Sequence, residues 1–439
     1  MVLFTVCGIL VLDTFVVPAQ IGVASITIWV ITAIFFFFPY GLINAELGAA
    51  YPQDGGIYAW VQRAFGDLHG TLVGWFYWVN VAFWMPAVFV AFSWWFQLAY
   101  VPDMSLFWGA AIAVLLCWVV VAIGVRGIDL SVTVTNIAAI VKVAVLIIFG
   151  VLGIWYGIKN GLANSFAIEA FVPTFNETLV FAPTIVYNLL GFELISSVAR
   201  KLKNPDKNIP KMTLMAGGMI AFLYVFGTFG ILAATPAENV DSVDGFFFTL
   251  QELTTVFGGA GNVIFKILMA FALFTLMANM ISWTLGGTEV LASAKLETKS
   301  KIFAHRHKKF KTADYSYILM GVISTILIVF NFLLSGDAND VFWTILSFSF
   351  VVFLLPYMWL FPAYVKLRLT DEDTKRPYTV PLGKAGMWIS AILGELFIGL
   401  SLILLFTEGH LLYYLVLIIG TLLTTAYGLF LYYRKPNEE

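Results

Sequence analysis

Asp13, Lys142 and Glu193 each stand in the middle of a long apolar run. A charge held among hydrocarbon neighbours is costly, and such residues mark a binding or ion-handling site or pair with one another. Asp13 lies five residues before Pro18, and Glu193 two residues after Gly191. Proline and glycine at those places interrupt helical hydrogen bonding. Each carboxylate is therefore expected beside backbone N–H and C=O groups that have lost their helical partners, and such a group can hold a small charged molecule. Four further charges invite plainer readings. Lys266 can snorkel to a nearby segment end, Glu46 and Glu289 sit near segment ends, and Glu395 is expected to be paired or at an oligomer contact, which leaves a homodimer open.

The elements that carry these residues follow from composition. The 439-residue chain is 61% hydrophobic and only 11% charged, whereas soluble domains carry about 25% charged residues. Apolar runs of about 20 residues recur along its whole length, each long enough to cross a bilayer. The pattern predicts an all-α multi-pass membrane protein with twelve spans, at 2–24, 26–50, 69–100, 105–125, 130–158, 177–199, 211–235, 261–292, 314–335, 339–366, 385–407 and 411–433. Strand-length alternation is absent, which disfavours a β-barrel. Two stretches, 54–66 and 244–257, have amphipathic helical patterns and are expected along the membrane surface.

Loop charge orients the spans. With the N-terminus inside, internal loops hold Arg63, Arg126, the cluster Arg200, Lys201, Lys203, Lys207 and Lys211, the runs Lys295 to Lys311 and Lys366 to Lys384, and Arg434 with Lys435; external loops hold only Lys159. That asymmetry predicts cytoplasmic termini in a cell membrane. The start, MVLFTVCGIL, has no charged lead and no cleavage site, and reads as a retained first span with the true start left open. Cys7 and Cys117 fall inside spans and suggest neither disulfide nor metal site, and His69, His305, His307 and His410 form no metal constellation.

Asp13 and Glu193 fall in the first and sixth spans, which correspond in two five-span halves. Matching interrupted spans point to an inverted-repeat carrier with its site near the bilayer midplane. The expected division is 1–158 and 177–366 for the two repeats, with two accessory helices in 385–433. Irregular backbone at that depth is tolerated only where it lines a cavity or is buried in protein.

Several segments resemble one family. NLLGFELISSVARKLKNPDKNIPK (188–211), AELGAAYPQDGGIYAWVQRAFG (45–66), LFPAYVKLR (360–368), RPYTVP (376–381) and GKAGMW (383–388) are similar, in order and spacing, to motifs of the amino acid–polyamine–organocation transporter superfamily. The resemblance covers nearly the full chain. It implies a ten-span inverted-repeat core with discontinuous spans 1 and 6, two extra spans, and a substrate site between spans 1, 3, 6, 8 and 10. The family's first break, G-S-G-x-F-x-x-P-A, corresponds here to Val11 through Ala19. Phe15, Pro18 and Ala19 match, whereas the glycines do not, and Asp13 with Thr14 stands in their place. The match further implies substrate-binding roles for Tyr187, Gly191, Phe192 and Glu193 in the sixth span, Trp283 in the eighth and Asn80 in the third. Lys142, in NIAAIVKVAVL, resembles a fifth-span lysine of proton-coupled members, and is either a coupling group or a fixed structural cation.

A carboxylate at Asp13 bears on the substrate. Two unit charges about 4 Å apart interact by roughly 4 kcal/mol at an effective dielectric of about 20. Asp13 would repel a substrate carboxylate and attract an ammonium. Phe15, Tyr187, Phe192 and Trp283 could add cation–π contact. The expectation is an exchanger of a cationic amine of the agmatine, putrescine or polyamine kind. An amino acid permease and an amino-acid-for-amine antiporter of the glutamate/γ-aminobutyrate kind, with or without proton coupling, are the alternatives. No phosphate-binding loop, HExxH motif or serine-hydrolase elbow is present, so no enzyme, cofactor or nucleotide drive is expected. No filter motif suggests a channel, and neither nucleic acid nor metal is an expected partner.

Overall fold

The computed structural model describes residues 2–53, 55–197, 204–294, 300–333, 338–407, 409 and 411–434. Asp54, Arg200, Lys201, Lys203, Lys295, Lys299, His410 and Lys435, on which parts of the loop reading rest, lie outside those residues. The described residues are helical and contain no strand. Helix α1 (Val2–Ile9) gives way to an irregular stretch and then a single 3-10 turn, Val17–Ile21. α2 (Ala24–Thr32) and α3 (Phe38–Ala50) continue into one another through a π-helical turn. The amphipathic α4 (Ile57–Phe65) precedes three long helices, α5 (Asp67–Tyr100), α6 (Leu106–Arg126) and α7 (Ile128–Asn160). α8 (Phe175–Asn188) is interrupted and resumes as α9 (Leu194–Ser197). Then come α10 (Pro205–Ala234), the amphipathic α11 (Gly245–Leu253), α12 (Gly261–Ser293), α13 (Lys301–Ala304), α14 (Asp314–Leu333), α15 (Ala338–Thr370), α16 (Gly383–Leu404) and α17 (Leu411–Tyr433).

Among the described residues ten helical stretches are long and apolar enough to cross a membrane, and the protein is an integral membrane protein. α1 and the α8–α9 pair fall short of that length because each is broken, where unbroken spans of 2–24 and 177–199 would have qualified. Pro18, nine residues beyond the end of α1, has no N–H to give and sits in the first turn of the 3-10 segment, where none is needed. At the second break Gly191 has φ +127°, a conformation that favours glycine. A Cβ there would stand 3.0 Å from Ile9 Cγ1 and 3.2 Å from the Trp283 ring, so the second break is seated against the end of α1.

Among the unbroken spans the boundaries lie within a few residues of expectation, and the largest difference is at α10. α10 begins at Pro205, six residues before the expected 211, because a proline in the first turn gives up no needed hydrogen bond. Lys207 and Lys211 therefore lie on the opening turns of a helix and not in a loop.

At one end of the bundle, distant parts of the sequence converge on Glu46, at the end of α3 and fully buried. Its carboxylate accepts from Arg368 of α15, from Arg376 Nη1 at 3.3 Å, from the Tyr364 hydroxyl at 3.0 Å and from the Val380 N–H at 2.7 Å. Beside it Asp371 accepts from the Tyr51 hydroxyl and from Arg63, both at 2.9 Å. Hydrogen bonds from Thr374, Tyr51 and Arg63 hold the Asp371 carboxyl below the usual carboxylate range. These contacts pin α3, α4, α15 and the linker to α16 together.

Candidate functional site

The break after α1 leaves carbonyls at the end of a half-helix, where partial negative charge accumulates. Side chains from three other helices meet them. The Lys142 ammonium of α7 donates to the Cys7 carbonyl at 3.0 Å and the Leu10 carbonyl at 2.5 Å. The Trp283 indole of α12 donates to the Gly8 carbonyl at 2.8 Å. Asn279, one turn earlier on α12, reaches the same carbonyl at 3.2 Å with its amide nitrogen turned toward α1. The Tyr224 hydroxyl of α10 lies 2.8 Å from the Ile9 carbonyl. Lys142 is thus a fully buried cation on a helix C-terminus.

Beyond that end the chain turns into Asp13 and Thr14. The Thr14 hydroxyl donates to Asn188 Oδ1 at 2.6 Å, joining the first break to the last residue of α8. Asp13 neighbours the Trp84 indole, Tyr187, Tyr224 and Lys142. Its Oδ1 is buried and completes no hydrogen bond among the described residues, and neither does Trp84 Nε1. A buried carboxylate oxygen without a donor is costly and is the behaviour of a group awaiting a partner. Aromatic rings enclose this place. Tyr187 stacks on Phe350 with centroids 3.9 Å apart and meets Trp84 edge-on at 5.7 Å. Trp84 meets Trp283 at 5.5 Å, and Phe353 meets Trp283 at 5.2 Å. The Tyr187 hydroxyl lies 3.4 Å from Asn80 Oδ1, and the Nδ2 atoms of Asn80 and Asn188 are buried without partners. Asp13, Thr14, Asn80, Tyr187 and Trp283 are therefore together.

Glu193 is close by but differently employed. Its Oε1 accepts from the Tyr77 and Tyr357 hydroxyls, each at 2.7 Å, and its Oε2 from Tyr40. Tyr40 also receives the N–H groups of Gly191 and Phe192, at 3.0 and 3.1 Å. The carboxylate is used by three donors from α3, α5 and α15 and offers no free oxygen to the Asp13 group. The Tyr77 ring spans the two places, 5.9 Å from Trp283 and 5.5 Å from Phe353. Two expected aromatic contacts lie elsewhere. Phe15 packs on Phe149, Tyr224 and Phe246, and Phe192 stacks on Phe37 at 4.6 Å. The structure does not bring either ring to the enclosure around Asp13.

Sequence reasoning passed over Tyr40, Tyr77, Trp84, Asn188, Tyr224, Asn279, Phe350, Phe353 and Tyr357. A signal for most of them existed. Tyr77, Asn80 and Trp84 follow the i, i+3, i+7 spacing of one helix face, as do Phe350, Phe353 and Tyr357, and Asn279 and Trp283 are four apart. Tyr40 and Tyr224 carry no such signal, being the lone tyrosines of apolar helices.

Comparison with known proteins gives the family of the chain. The family model described as amino acid permease matches residues 1–426. A probable agmatine/putrescine antiporter of Lactococcus lactis subsp. lactis (strain IL1403) is 32% identical over 86% of this chain and 81% of its own length. A glutamate/γ-aminobutyrate antiporter of the same strain is 23% identical over 82% of this chain and 73% of its own. A polyamine transporter of Oryza sativa subsp. japonica is 26% identical over 79% and 62%.

Proposed function

From membership of the amino acid permease family, to which this chain belongs, we propose a secondary active transporter that exchanges cationic organic amines of the agmatine, putrescine or polyamine kind by alternating access. The observation that carries this reading is the unpartnered Asp13 carboxylate oxygen at the first helix break, beside Trp84 and Tyr187, whose rings pack in turn on Trp283 and Phe353. A carboxylate there supplies the counter-charge for an ammonium or guanidinium, and the ring faces add cation–π attraction. Tyr187 and Trp283 are the gate or wall aromatics, and Lys142 and the Glu193 cage hold the two breaks in place around the site. The finer architecture belongs to the same proposal: twelve crossings, two inverted repeats over 1–158 and 177–366, accessory helices in 385–433, both termini cytoplasmic, and a cell-membrane location. The chain is read as a carrier without cofactor or catalytic step. The 32% identical agmatine/putrescine antiporter supports the amine class.

A second reading, an amino-acid-for-amine antiporter, draws on the two unpartnered amide nitrogens of Asn80 and Asn188, which are donors suited to a substrate carboxylate. Counterflow in proteoliposomes separates the two. Loaded with agmatine or putrescine, vesicles should take up labelled amine and fail to take up labelled zwitterionic amino acid. Uptake of zwitterions alone would overturn the amine reading, and cross-exchange of both classes would establish the second.

A further inference from the structure

Tyr224 sits where both interrupted helices end, on a helix that neither break belongs to. Its hydroxyl accepts from the Val11 N–H at 3.1 Å and lies 2.8 Å from the Ile9 carbonyl and 2.9 Å from the Asn188 carbonyl. The ring is fully buried and stacks on Trp29, with centroids 4.5 Å apart and planes 6° from parallel. A phenol has one proton. It can donate to the Ile9 carbonyl or to the Asn188 carbonyl, never to both at once, so the ends of the two half-helices compete for a single donor. The residue that accepts nothing at a given moment is left with a buried carbonyl short of a partner, which is a destabilised group. Val11 is two residues before Asp13, and Asn188, whose carbonyl the hydroxyl meets, accepts from the Thr14 side chain just after it, so the hydroxyl holds the backbone before the unpartnered carboxylate and the residue that tethers the chain after it.

We propose that Tyr224 is a positioning residue for the substrate cation: through its hydroxyl it sets the first break against the second and thereby aims the Asp13 carboxylate. Tyr224 touches no substrate in this account and acts through Asp13. The inference rests on the reading of Asp13 as the cation receptor. It goes further by assigning to a residue outside both breaks the geometry on which amine recognition depends. Thr14 and Asn188 make a second tether between the breaks, so loss of the phenol hydroxyl loosens the junction without opening it.

Tyr224→Phe keeps the ring stacked on Trp29 and removes only the hydroxyl. The test is a double-mutant cycle in the full-length chain reconstituted in proteoliposomes, comparing wild type, Tyr224→Phe, Asp13→Asn and the double variant for putrescine counterflow. Tyr224→Phe is expected to raise KM for putrescine about tenfold, the size of effect that losing a buried hydrogen bond gives, with a smaller change in maximal rate. In the Asp13→Asn background the same substitution should raise KM by less than about twofold, because the carboxylate it aims is gone. A merely structural tyrosine would give equal effects in both backgrounds, and that result overturns the proposal. If Asp13→Asn itself leaves putrescine KM unchanged, the cation-receptor reading falls and this inference falls with it. If Asp13→Asn weakens putrescine while Tyr224→Phe does nothing, the receptor stands and the positioning role does not. Where Tyr224→Phe expresses poorly, Asn188→Ala, which cuts the parallel tether through Thr14, should show the same dependence on Asp13, and additivity there overturns the proposal equally.

Discussion

Asp13 and Glu193 are carboxylates at the two helix breaks, yet their surroundings differ. Glu193 is saturated by three tyrosine hydroxyls, whereas Asp13 keeps an oxygen without a donor. Glu193→Gln would put an amide NH2 against hydroxyls that now donate. It is expected to lower stability by about 1–3 kcal/mol, read as a fall in melting temperature in detergent, while the ratio of amine to zwitterion KM stays as in wild type. A shift in that ratio would make Glu193 a substrate ligand after all. Lys142→Met would leave the Leu10 carbonyl without its ammonium, at a cost of about 1–3 kcal/mol for a buried group left unpaired, and would remove one of the two donors to the Cys7 carbonyl, which Asn279 also reaches. Thermal melting should therefore drop further for Lys142→Met than for Glu193→Gln. The positions of these charges were legible because a charge stands out in an apolar run. Their partners were not, since a buried tyrosine hydroxyl looks the same in sequence whether it meets a carboxylate, a backbone carbonyl or nothing.

Interrupted helices are the elements on which the site depends, and Gly191 shows why. Its φ of +127° strains any residue with a Cβ, and the nearness of Ile9 and Trp283 leaves that Cβ little room. Gly191→Ala is expected to cost about 1–3 kcal/mol in backbone strain and to cut transport at least tenfold with the protein still inserted. Gly218→Ala on α10, where a Cβ meets nothing within 4 Å, should be silent in the same assay. Equal loss in both would remove the special status of the second break. The sequence pointed to this break and to the one before Pro18, because proline and glycine act locally. It misplaced the start of α10, where Asn-Pro followed by lysines reads as a loop although the proline opens a helix. Phe15 and Phe192 were expected at the substrate for their chemistry. Packing decided otherwise, with Phe15 drawn onto Phe149 and Phe246 and Phe192 onto Phe37.

Across the molecule, α3, α4, α15 and the following linker are joined at one end by the same few groups around Glu46 and Asp371. Asp371 titrates below the ordinary carboxylate range. A depressed folded-state value contributes stability above the unfolded carboxylate pKa and loses it as pH falls through the lower folded value. The melting difference between wild type and Asp371→Asn should hold from neutrality down to about pH 4 and shrink only below that. A difference that vanished already near pH 6 would contradict the clamp. The central claim, that the first break receives a positive charge at Asp13, has a more direct test. Equilibrium binding of agmatine to the purified full-length protein should weaken at least about tenfold in Asp13→Asn, since a Coulomb term of roughly 4 kcal/mol at about 4 Å is removed, while binding of a zwitterionic amino acid holds or improves. Unchanged agmatine affinity in Asp13→Asn would contradict the account.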